Sequence, residues 1–515
     1  MKVWKRIQLR STSLILLSII SPVMNAAETQ LINVNGYYVE RKSYGTQKES
    51  EPPRYVKQAD KTWLKTYDAF SDADWLDVGF EYRVRYESRD NDFRRSAENI
   101  DDPILLRSRA YLGIKNIFDP FRFAIEVQDS RRNNSDYSRA FDTRDVNQAD
   151  VLQSYLELYF KESFLGQDDL GNARPISVKA GRLAWEAIDR RLLARNEWRN
   201  TTNTFQGVRS SLGEKKNDWQ LEFFAVKPVQ RFTKQLDEVD HAQDFYGAIG
   251  DWRAWSSIVT LEPYYFLLKQ DGDKVEYDPN GNAAAANTKI DREIHTVGLR
   301  AYGTFGKSGF DYDVNYASQW GHQDRKNNAG AFIAELDHDA YAYNAEIGYT
   351  FNHAWKPRFS TFYGFASGDK NPNDSKNQRF ERLFGFARPW SNDDYIQMEN
   401  ISTPKIRLEF DPKFSWLEGV KVDTGFSWYR LDSATDRWNA GANLRDTTGN
   451  SGKDLGKEFD LRMRFHINPQ IAVNIGYAHF WAGDFVKITA RNVSGQFNRD
   501  DSSDFFYTEL TLHAF

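Results

Sequence analysis

The sequence predicts an all-β protein: a transmembrane antiparallel β-barrel of about eighteen strands, with long extracellular loops and short periplasmic turns. Three observations carry that prediction. Apolar residues recur with period two, connections between the recurring segments alternate between long and short, and Tyr and Trp gather at segment ends. Composition removes the competing classes. Mean hydropathy is -0.69, and after the N-terminus no run approaches the roughly 18 apolar residues of a spanning helix, which excludes a helical membrane protein. The chain of 515 residues holds 15 Trp, 26 Tyr and 36 Phe, too much material for burial to leave it disordered. With no cysteine, disulfide frameworks, thiolate zinc sites and cysteine nucleophiles are all absent.

The first element reads as an export signal. Lys2, Lys5, Arg6 and Arg10 precede an apolar run from Leu14 to Ile20, and the small residues Ala26 and Ala27 follow. Removing residues 1–27 takes four cations, so the formal charge moves from -5 to -9. Residues 28–73 precede the first clear strand. Lys, Glu and Pro dominate Glu49 to Lys61, which fits either a periplasmic extension or a partial plug of the lumen, open to periplasmic or inner-membrane secretion partners. Residues 74–515 form the barrel.

Its first strand shows the pattern. Leu76, Val78, Phe80, Tyr82, Val84 and Tyr86 alternate with Asp77, Gly79, Glu81, Arg83, Arg85 and Glu87, so one face is apolar and the other charged. The alternation returns through Phe310 to Tyr316, Val420 to Trp428 and Phe459 to Ile467. Segments of this kind begin near residues 74, 104, 120, 151, 175, 203, 217, 245, 256, 291, 309, 339, 357, 404, 418, 457, 471 and 503. Those near 245, 256 and 404 are weak, and Pro263 interrupts one, so 16 or 20 strands also satisfy the pattern. Lipid cannot satisfy an open strand edge, so the sheet must close on itself.

The connections fix the orientation. Long ones fall near 89–103, 129–150, 184–202, 228–244, 271–290, 322–338, 368–403, 433–456 and 483–502. Short ones fall at 117–119, 213–216, 306–308, 352–356 and 468–470, with 162–174 the exception. Tyr302, Tyr316, Trp320, Tyr349, Trp428, Tyr429, Tyr477 and Trp481 mark strand ends and are expected to form aromatic girdles at the lipid headgroups. At the C-terminus Phe506, Leu510 and Leu512 alternate, while the final Phe515 lies one residue out of phase, which a bulge would restore.

A barrel this wide is expected to enclose a lumen rather than a packed core. Its inward faces carry Arg83, Arg85, Arg107, Arg109, Lys115, Arg122, Lys179, Arg182, Arg209, Arg300, Lys405, Arg407, Arg462 and Arg464. Glu81, Glu126, Glu157, Glu222, Asp311, Asp313, Glu409, Asp423, Glu458 and Asp460 oppose them. Arginine binds carboxylates through two parallel hydrogen bonds, which suits a path for acidic solutes. The same residues equally make a lattice of salt bridges that neutralises itself.

One stretch goes further. Residues 177–209 contain Gly181-Arg182, Asp189-Arg190-Arg191-Leu192-Leu193, Arg195, Trp198-Arg199-Asn200-Thr201 and Phe205-Gln206-Gly207-Val208-Arg209. The stretch resembles the alginate-export family of outer-membrane proteins, in which a strand ending in Gly-Arg leads into a basic loop, a Trp-containing stretch and a returning strand with Phe and Gly. The barrel layout extends the likeness over most of residues 74–515. The resemblance implies an eighteen-stranded barrel with an arginine-rich constriction that conducts a polyuronate. By the same resemblance Arg182, Arg190, Arg191, Arg195 and Arg199 become constriction candidates. From the residues alone, Leu183 to Trp198 reads as well as a short amphipathic helix on the rim, with Arg190, Arg191 and Arg195 solvated.

Enzymatic chemistry is not expected. None of the eight histidines sits in a catalytic motif and no Gly-x-Ser-x-Gly elbow occurs. Asp271, Asp273, Glu276 and Asp278 are a weak calcium-loop candidate; they lack the helix-loop-helix pattern and read better as an acidic surface loop. No other metal and no cofactor is implied, and a nucleic-acid role has no support in the sequence. The expected function is an outer-membrane channel passing an anionic oligo- or polysaccharide, in contact with outer-membrane lipid. A diffusion porin for small solutes and a non-conducting envelope barrel are the alternatives.

Overall fold

The computed structural model describes residues 49–94, 100–135, 143–284, 289–327, 329–441, 443–492 and 502–515. The signal-peptide reading of residues 1–27 and the start of the 28–73 segment lie outside the described residues.

Eighteen strands form the barrel. In chain order they are β1 (Leu76–Asp90), β2 (Ile104–Ile114), β3 (Phe121–Asn133), β4 (Asn147–Phe160), β5 (Ile176–Leu183) and β6 (Phe205–Leu212). There follow β7 (Trp219–Gln230), β8 (Gln243–Trp252), β9 (Thr260–Gln270), β10 (Arg292–Thr304), β11 (Phe310–Lys326) and β12 (Phe332–Thr350). The last six are β13 (Arg358–Ala366), β14 (Ile401–Phe410), β15 (Gly419–Arg430), β16 (Asp454–Asn468), β17 (Ile471–Ala482) and β18 (Ser502–His513). Each pairs antiparallel with the next, and β1 closes the cylinder against β18 in a register running from Glu81 opposite His513 to Asp90 opposite Asp504. Closure removes the edges that lipid could not satisfy.

Alternation sets the two faces. Along β1, Asp77, Gly79, Glu81, Arg83, Arg85, Glu87 and Arg89 are buried, while Val78, Tyr82, Val84 and Tyr86 are half-buried and Phe80 exposed. The charged face therefore points inward. Pro263 and Pro404 both sit within paired strands, opposite Leu299 and Tyr363, so neither interrupts the barrel.

Three expectations are corrected. The connection placed at 322–338 spans only residues 327–331: β11 runs on through the polar His322 to Lys326, and β12 already begins at Phe332, where Phe332 and Ile333 are apolar on both faces and break the alternation. Tyr302 and Tyr429 point inward, at 6% and 0% exposure; Tyr429 cannot share a face with its neighbour Trp428, which is exposed. Phe515 is not returned to phase by a bulge. The chain leaves the ladder at His513, and the Phe515 ring stacks on Trp63 with centroids 5.8 Å apart.

The largest correction concerns the interior, which carries a packed core. Two long connections, residues 184–204 and 367–400, fold inward. They meet each other through backbone bonds from Phe384 to the Leu192 carbonyl (3.0 Å), from Ala194 to the Phe384 carbonyl (3.2 Å) and from Phe386 to the Arg190 carbonyl (2.9 Å). Gly385 is required at this crossing, since a Cβ there would lie 1.7 Å from the Arg191 carbonyl oxygen. Trp185 packs on Phe205 and Phe224, Phe384 on Phe205 and Phe245, Trp390 on Phe362, and Tyr395 on Phe480. Leu192, Leu193, Phe380, Trp390 and Tyr395 are fully buried. Helix α1 (Asp484–Asn492) adds Phe485 and Val486 to the same cluster.

Before β1, three short 3-10 turns between Ala59 and Phe70 lie on the turn side of the barrel. Val56–Gln58 pairs with the turn end of β1 at Asp77 to Gly79, below the point where β18 stops.

Candidate functional site

The interior wall is a lattice of ion pairs. Arg300 pairs with Asp313 and Glu262, both at 2.8 Å, and also donates to the Ile188 carbonyl. Asp423 alone serves Arg407 (2.7 Å), Arg462 (2.9 Å) and Arg464 (3.2 Å). Arg358, missed in the sequence because it opens a strand after Pro357, gathers Asp311, Glu346 and Glu409 within 2.9 Å. Such pairs exchange hydration for mutual attraction and hydrogen bonds, and stay favourable only while complete.

Four strand arginines hold an infolded segment. Arg83 donates to the carbonyls of Glu197 (3.0 Å) and Arg199 (2.9 Å), and Arg85 to that of Trp198 (2.6 Å). Arg107 bonds the Glu197 carbonyl at 3.1 Å and Glu81 at 2.7 Å; Arg109 reaches the Glu197 carboxylate at 2.5 Å. All four are nearly inaccessible. Irregular backbone inside a barrel leaves carbonyls without partners, and these guanidinium groups supply the donors.

The candidates on the segment itself divide. The 184–204 connection forms no rim helix. Arg195 is buried against Glu126 and Glu197, and Glu126 also accepts from Tyr55 Oη at 2.7 Å. Arg191 is buried against Asp189 at 2.7 Å, below the rings of Phe362 and Trp390. Arg190 lies 5.4 Å from the Phe386 ring centroid. Arg182 alternates onto the face opposite Lys179 and Leu183, and is held by Asp150 (3.3 Å) and the carbonyls of Val151 and Asp237. Arg209 faces inward, with Glu222 at 2.6 Å and Glu51 at 2.8 Å.

Arg199 is different. Its guanidinium has no ion-pair or hydrogen-bond partner among the described residues, and the same holds for Arg382 on the other infolded segment. Burial pushes the Arg199 group well below its usual pKa. Asp394 opposes that shift, while the like charges of Arg144, Arg382 and Arg231 add to it. Burial pushes Arg382 down as well; Glu399 and Glu381 oppose, and Arg144 and Arg437 add like charge. Arginine does not give up its proton in proteins, so the cost persists as an excess of positive charge. This cluster stands on the loop side of the core.

Sequence reasoning found Arg199 and missed Arg382, Arg388, Arg144, Arg231 and Arg437, all in connections read as extracellular loops. A signal was present. Phe380, Phe384, Phe386, Trp390 and Tyr395 crowd one connection, and a loop that apolar needs a core to cover it. The calcium candidates do not converge. Asp278 caps the backbone amides of Asn280 and Asn282, Asp271 that of Asp273, and among the described residues no three acidic or histidine side chains gather to hold a metal.

A family model described as alginate export matches residues 74–499. The fold is similar to the outer-membrane protein OpdK from Pseudomonas aeruginosa, at 11% identity over 85% of this chain and 98% of that one, with a TM-score of 0.52. It is similar also to OccD3 (OpdP) from the same organism, at 10% identity over 85% and 91% of the two chains, TM-score 0.50. OpdQ, again from Pseudomonas aeruginosa, gives 12% identity over 85% and 98%, TM-score 0.50. No curated protein sequence matches the chain.

Proposed function

The chain belongs to the alginate export family of outer-membrane β-barrels, and from that premise we propose that it conducts an anionic oligo- or polysaccharide, a polyuronate in chemical class. The observation that carries this reading is the pair of arginines, Arg199 and Arg382, that have no partner among the described residues and lie among the like charges of Arg144, Arg231 and Arg437. A carboxylate arriving from the loop side meets guanidinium groups with donors to spare, and can be held bidentately without first breaking an existing ion pair. The wall arginines differ, because each is already committed to a carboxylate or a carbonyl. Transport needs sites strong enough to admit a charge and weak enough to release it. Arg199 and Arg382, without a partner among the described residues, meet that need.

A second reading, a selective porin for small acidic solutes, is favoured by the apolar core that residues 184–204 and 367–400 build inside the barrel, in the space a polymer would have to pass. The test is electrical. In a planar bilayer under a salt gradient, the purified protein should show anion selectivity and concentration-dependent block by oligouronates. Combined Arg199→Gln and Arg382→Gln should raise the blocking concentration by about tenfold, the loss of roughly one charge-assisted contact. Cation selectivity without block would refute the polyuronate reading. Selectivity for anions with block by monouronates alone would favour the small-solute porin.

A further inference from the structure

The segment ahead of β1 does not stay at the rim. Tyr55 lies inside the barrel at 3% exposure, its ring over Gly79, where a Cβ would come within 2.8 Å of it. From there the chain runs along the same side of the wall, from β1–β3 towards β5 and β6. The Glu51 carboxylate receives Arg209 on both oxygens at 2.8 Å and Lys179 at 3.0 Å. Glu49 donates its backbone N–H to Glu186 of the infolded segment at 2.7 Å. Glu49, Ser50 and Glu51 thereby line a turn-side cavity of about 490 Å³, whose roof includes Glu186, Ala187 and Ile188.

Lys179 and Arg209 stand directly opposite each other in the β5–β6 ladder. Like charges in that position repel, and the flanking wall carboxylates Glu157 and Glu222 offset them. Glu51 adds a third carboxylate, brought by a tether rather than by the barrel. Burial alone would raise the Glu51 pKa, yet Arg209 first and Lys179 second outweigh it and hold the group well below the carboxylate range. Burial raises the Glu49 pKa, Arg54 opposes, and the like charges of Glu197 and Glu186 add to the rise. Residues 49–51 are thus held to the interior by a few side-chain and backbone contacts rather than by a strand ladder, which begins only at Val56, and this leaves the segment removable.

We propose that Lys179 and Arg209 form a carboxylate seat on the periplasmic side of the interior, that one carboxylate of the acidic saccharide occupies it during passage, and that Glu51 fills it in cis as a tethered competitor. The inference rests on the polyuronate reading above and adds a gate to it. With the segment in place, the cavity carries the extra charges of Glu49 and Glu51 and rejects anions. With the segment withdrawn, both charges leave and the seat opens.

The experiment compares full-length protein with Glu51→Gln, and with Ser50→Ala as a control, in planar bilayers with oligouronate added to the turn-side chamber. Heat-modifiable gel mobility verifies that all three barrels are folded. Glu51→Gln should conduct more and be blocked at about tenfold lower oligouronate concentration, while Ser50→Ala behaves as the parent. Lys179→Gln in the Glu51→Gln background should return the blocking concentration to the parental value or above. Block at equal concentration with and without Glu51 overturns the seat while leaving the polyuronate reading standing. Higher conductance of Glu51→Gln with no block of any variant, from either chamber, overturns the ligand assigned to the seat together with that reading.

Discussion

The guanidinium carbon of Arg388 lies 3.3 Å from the ring centroid of Trp198. The two residues sit on different infolded segments, and Arg85 approaches the same indole at 4.0 Å from the barrel wall. An indole beside two desolvated cations ties wall and segments together more firmly than apolar contact alone, at up to about 2 kcal/mol for each cation.

Trp198→Ala should therefore loosen both segments at once. We expect larger and noisier single-channel currents, and faster cleavage within residues 367–400 by added protease, although the substitution lies outside that segment. Arg388→Ala should give the same pair of effects. Unaltered currents in both variants would mean the segments are held independently.

Asp423 is the shared partner of three arginines. Asp423→Asn takes the shared carboxylate from Arg407, Arg462 and Arg464, while Asp460 stays beside Arg407 at 3.2 Å. Breaking a buried pair in this way costs about 3–5 kcal/mol. The variant should unfold at lower temperature in detergent, as read by gel mobility, and should shift the reversal potential toward anions.

Arg83 and Arg199 should respond in opposite ways. Arg83→Gln removes donors from the Glu197 and Arg199 carbonyls, so stability should fall by about 1–3 kcal/mol with selectivity little changed. Arg199→Gln should lower selectivity and leave stability equal or improved, because it relieves repulsion. Thermal gel shifts and reversal potentials on the two proteins decide between these roles.

The loop between β7 and β8 carries a pH response. Burial pushes the Asp237 carboxyl up to about 9, with the hydrogen bond and like charge of Asp150 adding to it. The folded state thus holds a proton that the unfolded chain releases near 4. Stability from this group is full below about pH 4 and declines as pH rises to about 9. Protease resistance of residues 231–242 should weaken between pH 5 and 9, and Asp237→Asn should flatten that dependence.

Much of the barrel is legible in residues such as Leu76 to Glu87, because lipid on one face and water on the other impose a strict alternation. The same logic located strands near β8, β9 and β14 despite Pro263 and Pro404. Above the bilayer the constraint lapses, so the polar end of β11 from His322 to Lys326 left no trace, and the apolar start of β12 at Phe332 and Ile333 was too irregular to read as a strand. Inward arginines such as Arg83, Arg107 and Arg300 were legible, Arg182 was placed on the wrong face, and the roles of none were legible. Whether Arg83 grips a carbonyl or Arg199 waits without a partner depends on how residues 184–204 and 367–400 meet, and neither segment has a periodicity that reports its path. Phe384 and Trp390 lay in a connection read as an extracellular loop, and a lumen, not a core, was expected.

The bridge between Leu193 and Phe384 joins backbones 191 residues apart. Contacts so distant in sequence form late. The apolar interior cannot assemble while only the first half of the chain has been inserted, and until residue 384 arrives Leu192, Leu193 and Trp185 have no complete shelter. Biogenesis must therefore bring the nascent cylinder to a stage at which β13 is in place before its centre consolidates. A chain ending ahead of Phe380 is expected to remain bound to its assembly machinery or be degraded, because it retains the first segment without the second that covers it.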